Sequence, residues 1–192
     1  MPGLTDPGPF NAATHEPFNV LVLCTGNSAR SILAEALFNA KGRNTDAGRP
    51  VMAFSAGSQP KGEPHPAALK LLHSKGFTTD FARSKSWEEF AAADAPQMDM
   101  IVTVCDSAAS EACPVWPGHP LTIHWGIPDP AAATGTEAEI DTAFEVAYAR
   151  LEARVMAFLA LPFDTMPPDE LKRRAAEIGN LEVAEALTGL CS

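Results

Sequence analysis

Basic residues are scarce in this chain. Fourteen Lys and Arg stand against 24 Asp and Glu, for a formal net charge of -10. Such a balance excludes broad nucleic-acid binding, which rests on neutralising phosphates with Lys and Arg. Its long-range field also repels anions, so any anion site must be local, built from backbone N–H groups and one well-placed Arg. Long apolar runs are missing too. No stretch approaches the roughly 18 apolar residues of a membrane span, and the N-terminus lacks a basic flank followed by an apolar segment. The expected location is the cytoplasm, with neither nucleic acid nor membrane as partner. Cysteine is limited to four positions; in a reducing compartment these are expected to be free, catalytic or metal-bound. There is no G-x-G-x-x-G and no Gly-Lys-Ser/Thr, so neither a dinucleotide fingerprint nor a Walker A loop is present. Internal repeats and low-complexity segments are likewise absent.

What is present fits one α/β domain with a sizeable core: 192 residues, 46% of them apolar. Residues 1–17, with Pro2, Gly3, Pro7, Gly8 and Pro17 and no periodicity, read as a loose arm. Phe18 to Leu23 is a short apolar run typical of a buried parallel strand, and Ile32, Leu33, Ala36 and Leu37 then fall on one helical face. Further strands are expected at Val51–Ser55, Met98–Val104 and Leu121–His124. Helices are expected at Pro66–Lys75 with Gly76 as stop, at 136–160, and at a last segment opened by Pro167-Pro168-Asp169 and running to Ile178. Ser86-Trp87-Glu88-Glu89 has the pattern of a capping box opening a short helix. Residues 18–163 would form the catalytic domain, and residues 164–192 a C-terminal helical extension with a helical or frayed tail. Strands alternating with helices imply a four-stranded parallel sheet covered on both faces, with its ligand beyond the carboxyl ends of the strands. Cys24, Cys105 and the loop after His124 fall at such ends.

The chemistry concentrates in Cys24-Thr25-Gly26-Asn27-Ser28-Ala29-Arg30-Ser31. Between a buried strand and a helix, the amides of Thr25, Gly26, Asn27, Ser28, Ala29 and Arg30 can turn inward around one centre, reinforced by the helix N-terminus. Gly26 and Asn27 suit a tight loop, since both tolerate positive φ. Arg30 can grip two oxygens of a tetrahedral anion. The same field favours a thiolate at Cys24; such sites lower a cysteine pKa from about 8.5 to between about 3.5 and 7.5. Ser31 can donate its hydroxyl to the sulfur. Asp129, between Pro128 and Pro130, is either a turn aspartate or a carboxylic acid able to protonate a departing oxygen.

This loop resembles the signature of the low-molecular-weight tyrosine phosphatases and of the arsenate reductases that share their fold. The resemblance extends to Val104-Cys105-Asp106, Cys113-Pro114 and His124-Trp125-Gly126-Ile127-Pro128-Asp129-Pro130-Ala131, and covers roughly residues 18 to 160. It implies a Cys24 nucleophile, an Asp129 general acid and a small bound oxyanion (arsenate, phosphate or sulfate). Phosphatases of the group place aromatic residues directly after the Asp-Pro. Here Ala131, Ala132 and Ala133 follow, leaving Trp87, Trp116 and Trp125 as candidates for an aromatic wall.

Likeness to the thioredoxin-coupled reductases implies that Cys105 attacks the sulfur of Cys24 and that Cys113 then attacks Cys105. An external thiol, thioredoxin or glutaredoxin with glutathione, reduces the resulting disulfide, and no cofactor is tightly bound. The pairing requires Asp106 to Ala112 to fold back, because bridged Cα atoms lie about 4.4 to 6.8 Å apart. The spacing of Cys105 and Cys113 is one residue longer than in better-known members, and Ala29 stands where some carry a cysteine. Arsenate reduction is therefore the leading expectation. The alternative is hydrolysis of phosphotyrosine or a small phosphate ester through a cysteinyl-phosphate. Loss of Cys24, Arg30 or Asp129 would have pointed to a silent oxyanion-binding module instead. Cys105 and Cys113 also have plainer readings, a buried small hydrophobe and a spare thiol. A zinc site from Cys105, Cys113, His119 and His124 lacks the tight cysteine spacing such sites use, so no metal is expected. Cys191 reads as incidental, and His65 and His73 as helix-flanking surface residues. Some relatives bind a monovalent cation near the equivalents of Asn27 and Glu35; Glu35 reads here as a solvated helix carboxylate.

Overall fold

Four parallel strands form the sheet, in the order β2-β1-β3-β4: β1 Phe18–Cys24, β2 Val51–Gly57, β3 Met100–Thr103 and β4 Leu121–His124. The computed structural model describes residues 16–43, 45, 48–110 and 114–181. Most of the N-terminal arm, Cys113, and the tail from residue 182 with Cys191 lie outside the described residues.

The central strand β1 shows why its sequence is apolar throughout. Val20 and Val22 enter the main core, while Leu21 and Leu23 enter a second cluster on the opposite face. Helices α1 (Arg30–Lys41), α2 (Pro66–Ser74), α5 (Glu137–Leu159) and α6 (Pro168–Ile178) surround the main core. Leu171, Ala175 and Ile178 of α6 are buried in it, so α6 packs as part of the same body. The other face carries α3 (Glu88–Ala91), with Phe90, Met98 and Trp116 buried there. Among the described residues, no helix is long and apolar enough to cross a membrane.

Several local expectations are corrected. Strand β3 spans only Met100–Thr103, although the Asp99 main chain still bonds to Asn19 O and the Leu121 amide, and its carboxylate accepts the Asn19 amide and pairs with Arg49. The capping box at Ser86 does not form: Trp87 is the N-cap of α3, and Glu89 is drawn to Arg83. A full capping box is found instead at Thr136 and Glu139, opening α5. The start of the presumed loop after Cys105 is a short helix, α4 (Asp106–Ser110). His65 is partly buried; its ring caps α2 and stacks on Phe144 with centroids 4.9 Å apart.

From β1 the chain passes through α1 to β2 on one side, then crosses to β3 on the other. The carboxyl ends of β1 and β3 therefore flank the point where the winding reverses, which is where ligands bind in such sheets. Cys24 ends β1, and Cys105 follows β3 by two residues.

Candidate active site

The loop from Cys24 to Arg30 is held from outside by its carbonyl groups. Thr25 O accepts the Gln59 amide at 2.9 Å, Gly26 O the Lys61 amide at 3.0 Å, and Ser28 O the His65 amide at 2.7 Å. Among the described residues all peptide bonds are trans. In a trans peptide C=O and N–H point opposite ways, so the N–H groups of Gly26, Asn27 and Ala29 turn inward. The Asn27 amide does reach Cys24 Sγ, at 3.1 Å. Gly57 makes the close fit possible: a Cβ there would lie 2.5 Å from Thr25 O.

Asn27 is fully buried and takes φ 41°, the left-handed region that asparagine tolerates. Its side chain points into the scaffold, not the cavity. Nδ2 donates to Ser31 Oγ and Ser55 Oγ, both at 2.9 Å, and Oδ1 accepts the Lys85 amide at 2.7 Å. Because Ser31 Oγ accepts from Asn27, its own proton is free for Cys24 Sγ, 3.0 Å away. Ser31 is thus placed where it can donate to the sulfur, and Ser55 is a support that no local motif announces.

The expectation of a depressed thiol at Cys24 meets an opposing force. Burial pushes this thiol up from its ordinary value, and the neighbouring Cys105 adds to the push. The Ser31 hydroxyl and amide and the Asn27 amide pull it down without cancelling the rise. Arg30, expected to supply positive charge, is engaged elsewhere: Nη2 lies 3.1 Å from Asp129 Oδ2, and Nη1 donates to Ile127 O at 3.0 Å. The second Asp129 oxygen accepts the Ala131 amide at 3.1 Å. Buried Arg154 of α5 holds this segment by donating to Trp125 O and Gly126 O, at 2.8 and 3.2 Å.

A cavity lined by Cys24, Gly26, Ser28, Ala29, Arg30 and Asp129 opens above the sulfur, with Gln59 and Lys61 at its rim. Sequence reading missed these two, since they come from the loop after β2 and carry no motif. An adjoining cavity brings Cys105 together with Arg30 and Asp129. Cys105 is buried and free; its sulfur lies 3.6 Å from Thr25 Oγ1 and 3.4 Å from the Ala108 amide. Among the described residues no aromatic wall forms: Trp116 and Trp125 are buried in the two cores, Trp87 packs beside the second, and none of the three lines either cavity. His124 is tied to Asp106 and Thr103. No group of three or more potential metal ligands occurs among the described residues.

A thiol and a guanidinium at the two ends of an amide-lined loop, with a carboxylate opposite, define an enzyme that works on tetrahedral oxyanions. The chain belongs to the family of low molecular weight phosphotyrosine protein phosphatases, whose model matches residues 19–175. Within that family it is similar to arsenate reductases. It is 37% identical to the arsenate reductase of Bacillus subtilis over 120 residues, covering 62% of this chain and 79% of that one. With the arsenate reductase of Shouchella clausii the figures are 33% over 139 residues, 72% and 93%. The crystal structure of arsenate reductase from Archaeoglobus fulgidus superposes with a TM-score of 0.57 at 28% identity, covering 74% of this chain and 99% of that one.

Proposed function

We propose that this enzyme reduces arsenate to arsenite, with Cys24 as nucleophile and Cys105 as the first resolving thiol. The observation that carries the reading is the placement of Cys105. A second free sulfur shares a cavity with Arg30 and Asp129 and sits beside Thr25 of the nucleophile's own loop. Ester hydrolysis has no use for a sulfur there. Cavities without aromatic walls also suit a small inorganic anion better than an aryl phosphate.

The inward amides and Arg30 bind the arsenate oxygens. Turning towards the anion takes Arg30 off Asp129, so substrate binding also frees the carboxyl group to carry a proton. The Cys24 thiolate attacks arsenic, and Asp129 protonates the oxygen that leaves as water. Cys105 thiolate then attacks Cys24 Sγ. The sulfur–arsenic bond breaks with its electron pair staying on arsenic, which departs as arsenite, and a Cys24–Cys105 disulfide remains. Cys113 attacks Cys105 and releases Cys24 as a thiolate. An external dithiol, thioredoxin or an equivalent such as glutaredoxin with glutathione, reduces the Cys105–Cys113 bond and supplies both electrons. Relatives named arsenate reductase at more than 30% identity support this reading.

Arsenate turnover with a thioredoxin system and aryl-phosphate hydrolysis, measured on wild type, Cys105→Ser and Cys113→Ser, test it. Arsenate turnover is expected in wild type and lost in both variants. Hydrolysis of aryl phosphate that survives in both variants, without arsenate turnover in wild type, would replace the reading with a phosphatase.

A further inference from the structure

Behind the catalytic loop lies a buried ion pair that no step above uses. Lys85 and Glu35 are each 5% exposed, so Glu35 is not the solvated carboxylate its helix suggested. Lys85 Nζ stands 3.4 Å from Glu35 Oε2, 3.4 Å from Ser55 Oγ and 3.3 Å from Arg83 O. Burial works against both charges, pushing the Glu35 carboxyl up and the Lys85 ammonium down, while each partner holds the other. Withdrawing two ions from water costs several kcal/mol apiece, and an apolar pair of similar volume is often as stable. Stability alone is therefore a weak reason for this pair.

Hydrogen-bond direction supplies a stronger one. Only an oxygen can accept the Lys85 main-chain N–H, so Asn27 Oδ1 faces Lys85, and its NH2 must face Ser31 and Ser55. Ser55 accepts from that NH2 and gives its single proton to Glu35 Oε2. This order holds while Glu35 is an ionised acceptor, and an ionised carboxylate at this depth needs a cation beside it. The other nearby charges, Arg83 and Glu89, pair with each other at the surface. Lys85 thus supplies both requirements, its main chain fixing the Asn27 amide and its side chain balancing Glu35.

The geometry points to Lys85 as a positioning residue for Cys24: its ammonium is the built-in counter-cation of Glu35, and it holds the Asn27 amide so that its NH2 donates both to Ser31, beside the catalytic sulfur, and to Ser55, which donates on to Glu35. The inference rests on the reading of Cys24 as nucleophile. Replacing Lys85 by Ala leaves the Glu35, Ser55 and Arg83 oxygens around a space that a small cation fits. A groove lined by Pro17, Asn39, Phe54 and Phe81 leads from solvent to Glu35.

The test follows alkylation of Cys24 by iodoacetamide against pH, with the site assigned by peptide mass spectrometry and thermal unfolding recorded on the same samples. In Lys85→Ala, Cys24 alkylation at neutral pH is expected to slow about tenfold, because less of the thiol is thiolate, and added ammonium chloride is expected to restore it more than sodium chloride. Lys85→Met, which fills the space, is expected to slow equally and to resist rescue. If these variants do not fold, the Glu35→Leu/Lys85→Met double variant, an apolar replacement of the whole pair, is expected to fold and show the same slowing. Variants that melt earlier yet alkylate like wild type would overturn the inference, leaving Lys85 a structural residue. Cys24→Ser separates the two levels. Turnover surviving in Cys24→Ser sinks the nucleophile reading itself, whereas a dead Cys24→Ser beside unshifted Lys85 variants sinks this inference alone.

Discussion

The two sulfurs at the carboxyl ends of β1 and β3 are held in very different ways. Cys24 sits in a loop whose carbonyls are tied outward by three main-chain bonds and whose sulfur receives Ser31 and the Asn27 amide. Behind it runs a buried network reaching Ser55, Glu35 and Lys85. Cys105 has a hydroxyl at 3.6 Å, an amide at 3.4 Å and a five-residue helix of small residues, largely exposed. The contrast matches the tasks proposed for them. A nucleophile that must meet a bound anion gains from a fixed position, whereas a resolving thiol that bonds first to one sulfur and then to another gains from a loose hold.

The largest break in this comparison is expected at Asp129. Asp129→Asn removes the acid and is expected to lower arsenate turnover about 10²- to 10⁴-fold. It also removes the anion that holds Arg30, so the Cys24 thiol pKa is expected to fall. Steady-state rates and the alkylation profile of the same variant check both halves, and an unshifted thiol would mean that Arg30 does not act on Cys24.

Next comes the network behind Cys24. Asn27→Ala strands three partners and puts a residue less tolerant of the left-handed region at positive φ, and should cost about 2 to 4 kcal/mol of stability by denaturant unfolding. A loss below about 0.5 kcal/mol would mean the loop holds its shape without the network. On the Cys105 side the corresponding change is small. Thr25→Val keeps the loop amide but removes the hydroxyl beside Cys105, and the resolving step should change by about tenfold or less, in line with about 1 kcal/mol for one such bond. Single-turnover kinetics separate that step from the first attack, and a larger effect on the first attack would contradict the division of roles.

The smallest effect lies away from both sulfurs. Burial and the neighbouring Glu152 push the Tyr148 phenol up to about 12 from about 10. A raised folded value means stability that is present below pH 10 and lost as pH rises towards 12. Tyr148→Phe should flatten this alkaline decline in melting temperature. As Tyr148 is the single tyrosine, its late ionisation also leaves the ultraviolet thiolate signal clear at lower pH.

Much of the site could be read from the chain, because its parts are contiguous. The apolar run of β1, the spacing of Cys24 and Arg30, and the Pro-flanked Asp129 each carry their meaning locally. The misreadings involve partners distant in sequence. Glu35 looks solvated on a helix taken alone, but α1 buries eight successive residues between the sheet and α5, and the cation that makes this tolerable is Lys85, fifty positions away. The Ser86 box is only half made: Ser86 Oγ accepts the Glu88 amide, but Arg83 claims Glu89. Gln59 and Lys61 reach the cavity rim through backbone bonds to Thr25 and Gly26, for which composition and spacing leave no mark.

The most direct test of the division between the two sulfurs is a single turnover without reductant: reduced protein is mixed with excess arsenate, arsenite is quantified, and disulfides are mapped. The account predicts one arsenite per chain and a Cys105–Cys113 disulfide in wild type, and a trapped Cys24–Cys105 disulfide in Cys113→Ser. Arsenite formation by Cys105→Ser at the wild-type rate, or full retention of free thiols after mixing, would contradict it.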